Sequence, residues 1–200
     1  MKTQKFSPRK NIRAIVIGGS AGSIPVMCKI LSGLPAPFTI PLIVCLHRMK
    51  NVSEGMIEVF SNASLNPVLE PNDKEEIKKG NVYLAPSNYH MLVEKNNTFS
   101  LSTDILVNYS RPSIDLTFQS CSRIFGHEMV AILLTGANKD GVDGMCMAKK
   151  NGATTIVQSP DDCIAPYMPQ AALEKRCIDH IFSTTEITEY LISLLKEKLV

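Results

Sequence analysis

Ala14-Ile15-Val16-Ile17-Gly18-Gly19-Ser20-Ala21-Gly22-Ser23 is the stretch on which the fold turns. Four consecutive apolar residues, two of them isoleucine and one valine, show no inside–outside alternation. They read as a strand buried on both faces. The glycines that follow allow a sharp reversal of the chain. From Ser23 to Leu34 the spacing becomes helical, with Ile24, Met27, Ile30 and Leu31 on one face and Gly33 near the end.

The same alternation continues outward. Leu42-Ile43-Val44-Cys45-Leu46 is a second buried strand, and Ser53 to Phe60 a second helix that starts at a good N-cap residue. Further on, a helix is expected from Arg111-Pro112-Ser113 through Leu116 and Phe118 towards Phe125. Met129-Val130-Ala131-Ile132-Leu133-Leu134 is the strongest strand, followed by a helix after Gly141 and the strand Thr154-Thr155-Ile156-Val157. Ile187, Leu191, Leu194 and Leu195 mark a docking helix that runs to Leu199. Between residues 65 and 105 the pattern differs: Asn81 to Ala85, Met91 to Val93 and Thr98 to Leu101 are separated by turn residues, among them Asn96-Asn97. This predicts a small antiparallel hairpin excursion. The expected fold is one doubly wound α/β domain over residues 1–200, with a mostly parallel sheet and helices on both faces.

Composition narrows the function. A chain of 200 residues with 44% hydrophobic and 20% charged content is long enough to bury a core. Its 21 basic and 19 acidic residues nearly cancel, leaving +2. That balance offers no basic field for nucleic acid or anionic lipid. Met1 to Lys10 lacks the apolar centre of a signal peptide, and no apolar run reaches membrane-spanning length, so no membrane insertion is expected. The six cysteines are scattered singly without a C-x-x-C pair, which reads as free thiols in a reducing cytosol. No residue pattern calls for a metal or an organic cofactor.

Open parallel sheets bind ligands beyond the carboxyl ends of their strands. Ser20 stands there after the first strand, His47 after the second, and Thr135-Gly136-Ala137-Asn138-Lys139-Asp140-Gly141 after the strongest. Gly18-Gly19-Ser20-Ala21-Gly22 fits the nucleophile-elbow pattern G-x-S-x-G. The turn that projects the serine also aims the N–H groups opening the helix at any oxyanion formed there. A phosphate cradle is the competing reading. A dinucleotide fingerprint would need glycine in place of Ile17, however, and no Gly-Lys-Ser/Thr follows.

His47 tips the balance towards a nucleophile. It ends the strand expected beside the first, and an imidazole can take the serine proton at neutral pH. His90, His127 and His180 are the less favoured bases. The imidazole needs an acceptor on its other nitrogen. Asp140 and Asp143, one helical turn apart, both qualify by spacing, and one of them can instead cap the following helix. The N–H groups of Ala21 and of the loop reaching Ala137 are the candidate oxyanion hole.

Taken together, these segments resemble the catalytic domain of the chemotaxis protein-glutamate methylesterases of the CheB type. Val82-Tyr83-Leu84-Ala85-Pro86, His90-Met91, Arg111-Pro112-Ser113-Ile114-Asp115 and Met168-Pro169 extend the likeness from Ile15 to the last helix. The resemblance implies a Ser20-His47-Asp140 triad and decides for Asp140 over Asp143. It also implies substrate-positioning roles for Arg111 and Met168. The implied substrates are glutamate methyl esters on the cytoplasmic helices of chemoreceptors, or another methylated protein, with glutamine deamidation as a companion activity.

Three departures from that pattern stand out. About a dozen polar residues precede the first strand where a receiver domain is usual, so phosphorylation control within the chain is expected to be absent. Ala21 replaces a common hydroxyl residue. Arg48-Met49-Lys50 places two cations after His47, expected to depress its basicity or to steer an acidic helix. Two alternatives remain open: a non-catalytic docking module of the same fold, and an esterase or amidase with a different substrate.

Overall fold

The computed structural model describes residues 11–48 and 55–196. In chain order the first half comprises β1 (Ala14–Gly19), α1 (Ser23–Gly33), β2 (Leu42–Leu46), α2 (Met56–Ala63), β3 (Val68–Leu69), β4 (Val82–Leu84), β5 (His90–Val93) and β6 (Phe99–Ser102). The second half comprises α3 (Ile114–Phe125), β7 (Met129–Leu133), α4 (Val142–Lys150), β8 (Thr154–Gln158), α5 (Tyr167–Glu174), β9 (His180–Phe182) and α6 (Thr184–Lys196). Seven strands form one sheet in the order β3-β4-β2-β1-β7-β8-β9, every pair parallel.

The absence of alternation in β1 has its explanation here. Ala14 and Val16 pack into one layer with Phe118, Met145 and Ala172 of α3, α4 and α5. Ile15 and Ile17 pack into the other with Met27, Phe60 and Leu191 of α1, α2 and α6. Both faces are covered, so an apolar residue is needed at every position. From β1 the chain passes to β2 on one side and later returns to β7 on the other. The strand order therefore reverses beside β1, and a crevice opens at the carboxyl ends of β1, β2 and β7.

The antiparallel excursion is smaller than expected. Only β5 and β6 form a hairpin, whereas Val82–Leu84 joins the parallel sheet between β2 and β3. Val82, Tyr83 and Leu84 are buried in succession, which marks a strand covered on both faces rather than a half-exposed one. Ser53, the expected cap of the second helix, lies outside the described residues, as do Met49 and Lys50. The helix α5 had no counterpart in the sequence reading.

The expectation of six free thiols is corrected for one pair. Cys146 of α4 and Cys177 beyond α5 form a disulfide, their Cα atoms 5.0 Å apart. Cys28, Cys45, Cys121 and Cys163 are free. Spacing alone missed the pair because the partners are 31 residues apart and meet only through the packing of α4 on α5. The inference of reducing surroundings loses that part of its support. Closing a loop of this length should stabilise the fold by about 4 kcal/mol, so reduction is expected to lower the melting temperature by roughly 7–15 °C. Calorimetry with and without dithiothreitol, with Cys146→Ser as the control, measures this; an unchanged midpoint would show that the bond contributes nothing.

Candidate active site

Ser20 leaves the end of β1 tied to the neighbouring loop, its N–H donating to the Thr135 carbonyl at 2.9 Å. The reversal into α1 is completed at Gly22, whose φ of 80° is the left-handed conformation that a side chain disfavours. Ser23 is buried at the start of α1 and donates its hydroxyl to the Ser20 carbonyl at 2.6 Å. These bonds fix the backbone and leave the Ser20 side chain facing a cleft of about 460 Å³, lined by Ala21, Gly22, Ile24, Pro25, His47 and Arg48.

His47 is held by its own N–H, which donates to the Gly19 carbonyl at 3.1 Å. Its Nε2 lies 2.7 Å from Asp140 Oδ2, and its Nδ1 lies 3.2 Å from Ser20 Oγ. An ionised carboxylate only accepts, so Nε2 carries the ring hydrogen in the neutral imidazole and Nδ1 presents its lone pair to the serine. The structure thus brings Ser20, His47 and Asp140 into one hydrogen-bonded line. The side-chain amide of Asn138 reaches the same Nδ1 at 3.1 Å.

Asp140 is fully buried, at 0% exposure, and sits on the N-terminus of α3. Its Oδ2 accepts the Ile114 N–H at 2.7 Å, while Oδ1 accepts the Asp115 N–H at 3.1 Å and the Ser113 hydroxyl at 3.0 Å. Burial on its own would raise its pKa, but the hydrogen bonds from His47, Ile114 and Asp115 outweigh it and hold the carboxyl below its usual range. The positive end of the α3 dipole favours the same charge.

Behind it stands a second carboxylate, Asp115, bridged to the first by Asn108. The Asn108 amide donates to Asp115 at 2.7 Å and to Asp140 at 3.2 Å. Burial pushes the Asp115 pKa up to about 6; the Gly144 N–H, which donates at 2.6 Å, opposes this and the Asp140 charge adds to it. A carboxyl with a raised folded pKa binds more protons folded than unfolded between about pH 4 and 6. Stability from this group therefore falls as pH rises through that window, by an amount on the order of 1–3 kcal/mol. Asp115→Asn should flatten the fall, as read by urea unfolding at several pH values between 4 and 7; an unaltered slope would assign it to other groups.

The remaining sequence candidates fall elsewhere. Asp143 is solvent-exposed and faces Lys175 at 3.7 Å, well away from His47. His90 is buried and structural: Nε2 donates to the Ile105 carbonyl at 3.0 Å and Nδ1 accepts the Ser113 N–H at 3.2 Å. Arg48, expected to add charge beside His47, turns inward instead, pairs with Glu70 and donates to the Ala85 carbonyl at 3.2 Å. Its charge is thereby neutralised. Arg111 lines a small cleft with His47, but its guanidinium donates to the carbonyls of Thr103 and Asp104 and so holds the 103–110 strap. Met168 is wholly buried; a Cβ on Gly136 would lie 2.5 Å from its methyl group and 3.1 Å from Ser20 Cβ. It supports the Gly136 loop from behind. Ala21 and Ala137 are both exposed, each following a residue whose own N–H is committed, Ser20 to Thr135 and Gly136 to Ala165. Among the described residues, no group of three or more His, Cys, Asp or Glu is placed to hold a metal ion.

Comparison with known proteins bears on this geometry. The family model described as CheB methylesterase matches residues 15–191. The chain belongs to the CheB methylesterase family. A relative in Leptospira interrogans, a putative protein-glutamate methylesterase/protein-glutamine glutaminase, is 40% identical over 184 residues, covering 92% of this chain and 95% of that protein. The corresponding protein of Clostridium acetobutylicum is 32% identical, and the chain spans 54% of its length. The crystal structure of the Thermotoga maritima CheB methylesterase catalytic domain superposes with a TM-score of 0.87 at 30% identity, covering 91% of this chain and 98% of that one.

Several residues of this CheB-family site escaped the sequence reading. Asn108 was not singled out, because an asparagine in a loop has no periodicity to betray it. Asn138 appeared only inside the loop that carries Asp140. Gln158 at the end of β8 accepts the Thr135 N–H at 3.0 Å and donates to the Asp162 carbonyl at 2.8 Å, bracing the loop behind Ser20. A glutamine following the β-branched run Thr154-Thr155-Ile156-Val157 was the available signal.

Proposed function

We propose that this CheB-family chain hydrolyses glutamate methyl esters of proteins, and glutamine side-chain amides by the same route, through an acyl-serine at Ser20. Ser20 Oγ attacks the carbonyl carbon while its proton passes to His47 Nδ1. The Nδ1 hydrogen then protonates the departing oxygen or nitrogen, releasing methanol or ammonia. In the second half, His47 takes a proton from water, the hydroxide attacks the acyl carbon, and glutamate leaves as Ser20 regains its proton. Asp140 keeps Nε2 protonated and stabilises the imidazolium. The N–H groups of Ala21 and Ala137 are assigned to the oxyanion.

The observation that carries this reading is the unbroken contact from Ser20 through His47 to Asp140, at 3.2 and 2.7 Å, at the carboxyl ends of three parallel strands. A protein substrate agrees with the rim of the cleft. Leu106 and Tyr109 of the strap stand on one side, with Ile24 and Ile164 by the nucleophile turn, all exposed. An exposed apolar rim around an open cleft suits a helix surface better than a small soluble ester. The proposed substrates are methylated helices of chemoreceptors, which places the reaction in the cytoplasm, and residues 1–200 are read as one catalytic domain. No helix among the described residues is long and apolar enough to cross a membrane. Methanol release from methyl-labelled receptor membranes tests the proposal, and absence of release by folded protein would redirect it to another ester or amide.

A further inference from the structure

Asn138 stands against the one imidazole nitrogen that the proposed reaction uses, and the triad gives it no task. Its orientation is settled by its other contact. Oδ1 accepts the Asp140 N–H at 3.0 Å, so the opposite end, the NH2 group, faces His47 Nδ1 at 3.1 Å. With Nε2 committed as donor to Asp140, Nδ1 of the neutral ring is an acceptor. Two donors, the Ser20 hydroxyl and the Asn138 amide, therefore share a single lone pair.

We propose that Asn138 is a positioning residue that keeps the general base neutral in the resting site and gives up its hydrogen bond each time His47 takes a proton. A donor facing Nδ1 stabilises the neutral imidazole. Once Nδ1 is protonated, N–H faces N–H, the bond is lost and the contact turns repulsive. The amide then directs its hydrogens into the space between Ser20 and His47. The departing oxygen, and later the attacking water, occupy that space and accept them. The site remains active at lower pH than it would without the amide. This inference rests on the reading of Ser20 and His47 as nucleophile and base.

The Asn138 side chain bonds to His47 and to the Asp140 backbone N–H, and the charged groups near the ring have other partners. Asp140 faces Nε2, with Asp115 behind it on α3. Arg48 is paired with Glu70, and Arg111 and Tyr109 line the small cleft with His47. Lys139, on the same loop as Asn138, places its ammonium group 5.9 Å from the centre of the Tyr167 ring.

The test is the rate of Ser20 labelling by a fluorophosphonate between pH 5 and 9 for the parent, Asn138→Asp and Asn138→Ala, each checked for folding by its melting temperature. Asn138→Asp retains an oxygen for the Asp140 N–H but replaces the donor with an acceptor. Its acid limb should move up by roughly one pH unit or more, since a carboxylate beside the ring favours imidazolium. Asn138→Ala should move it up by roughly half a unit. A purely structural role for Asn138 predicts that Asn138→Ala keeps the parent's limb, and that result would overturn the inference, as would an Asn138→Asp limb that does not move, since the side chain would then not reach the ring. Labelling does not depend on the ester, so these profiles decide the point whether or not methanol is released. A parent protein that is folded yet unlabelled at Ser20 would overturn both this inference and the proposed function.

Discussion

Ser20→Ala should reduce ester cleavage by roughly 10⁴-fold or more while leaving the fold in place. The loss is large because every chemical step passes through Oγ: without it there is no acyl-serine, and His47 has no hydroxyl to deprotonate. The fold should persist because the bonds that hold the turn come from the backbone, Ser20 N–H to Thr135 and Ser23 to the Ser20 carbonyl. A melting temperature within a few degrees of the parent, together with background methanol release, is the expected pair of results. Release above about a tenth of the parent rate would remove Ser20 from the mechanism.

Asp140→Asn should cost both activity, by roughly 10³–10⁴-fold, and stability. An amide that donates towards Nε2 would force the ring hydrogen onto Nδ1, where it cannot accept the serine proton. The same NH2 group, standing where Oδ2 stands, would also face the Ile114 N–H, a donor that the carboxylate accepts. One unmet group there costs about 1–3 kcal/mol. The pH dependence follows from the sign of the shift. The folded carboxyl of Asp140 is held below its usual value, so its contribution to stability is present above the unfolded pKa and fades as pH falls through the folded one. Asp140→Asn should lack that acid-limb loss in denaturant unfolding below pH 4, where the parent shows it. An equally steep acid limb in the variant would contradict the assignment.

The parallel sheet was legible because β1, β2 and β7 are uninterrupted apolar runs, and a run that cannot alternate has few places to lie. Ser20 and His47 were legible as candidates because each immediately follows such a run, and Asp140 because it stands on the loop that follows a third. β4 was misplaced because Val82–Leu84 is only three residues long, too short for periodicity to separate a buried strand from a hairpin arm. The Cys146–Cys177 bond, the inward turn of Arg48 and the Asn108 bridge depend on residues distant in sequence meeting through packing. Local spacing carries no record of such meetings. Arg48 shows this best: beside His47 in sequence it reads as a cation at the site, yet its partner Glu70 is 22 positions away.

The position of β1 in the sheet has a consequence for the order in which the molecule comes to exist. β1 lies between β2, made soon afterwards, and β7, made more than a hundred residues later. Until β7 docks, one edge of β1 has no partner, and Asp140, carried on the loop beyond β7, has not reached His47. The seat for its carboxylate likewise awaits α3. A half-made chain thus displays Ser20 and His47 without Asp140, and the proposed line of three residues is assembled only once β7 has paired with β1.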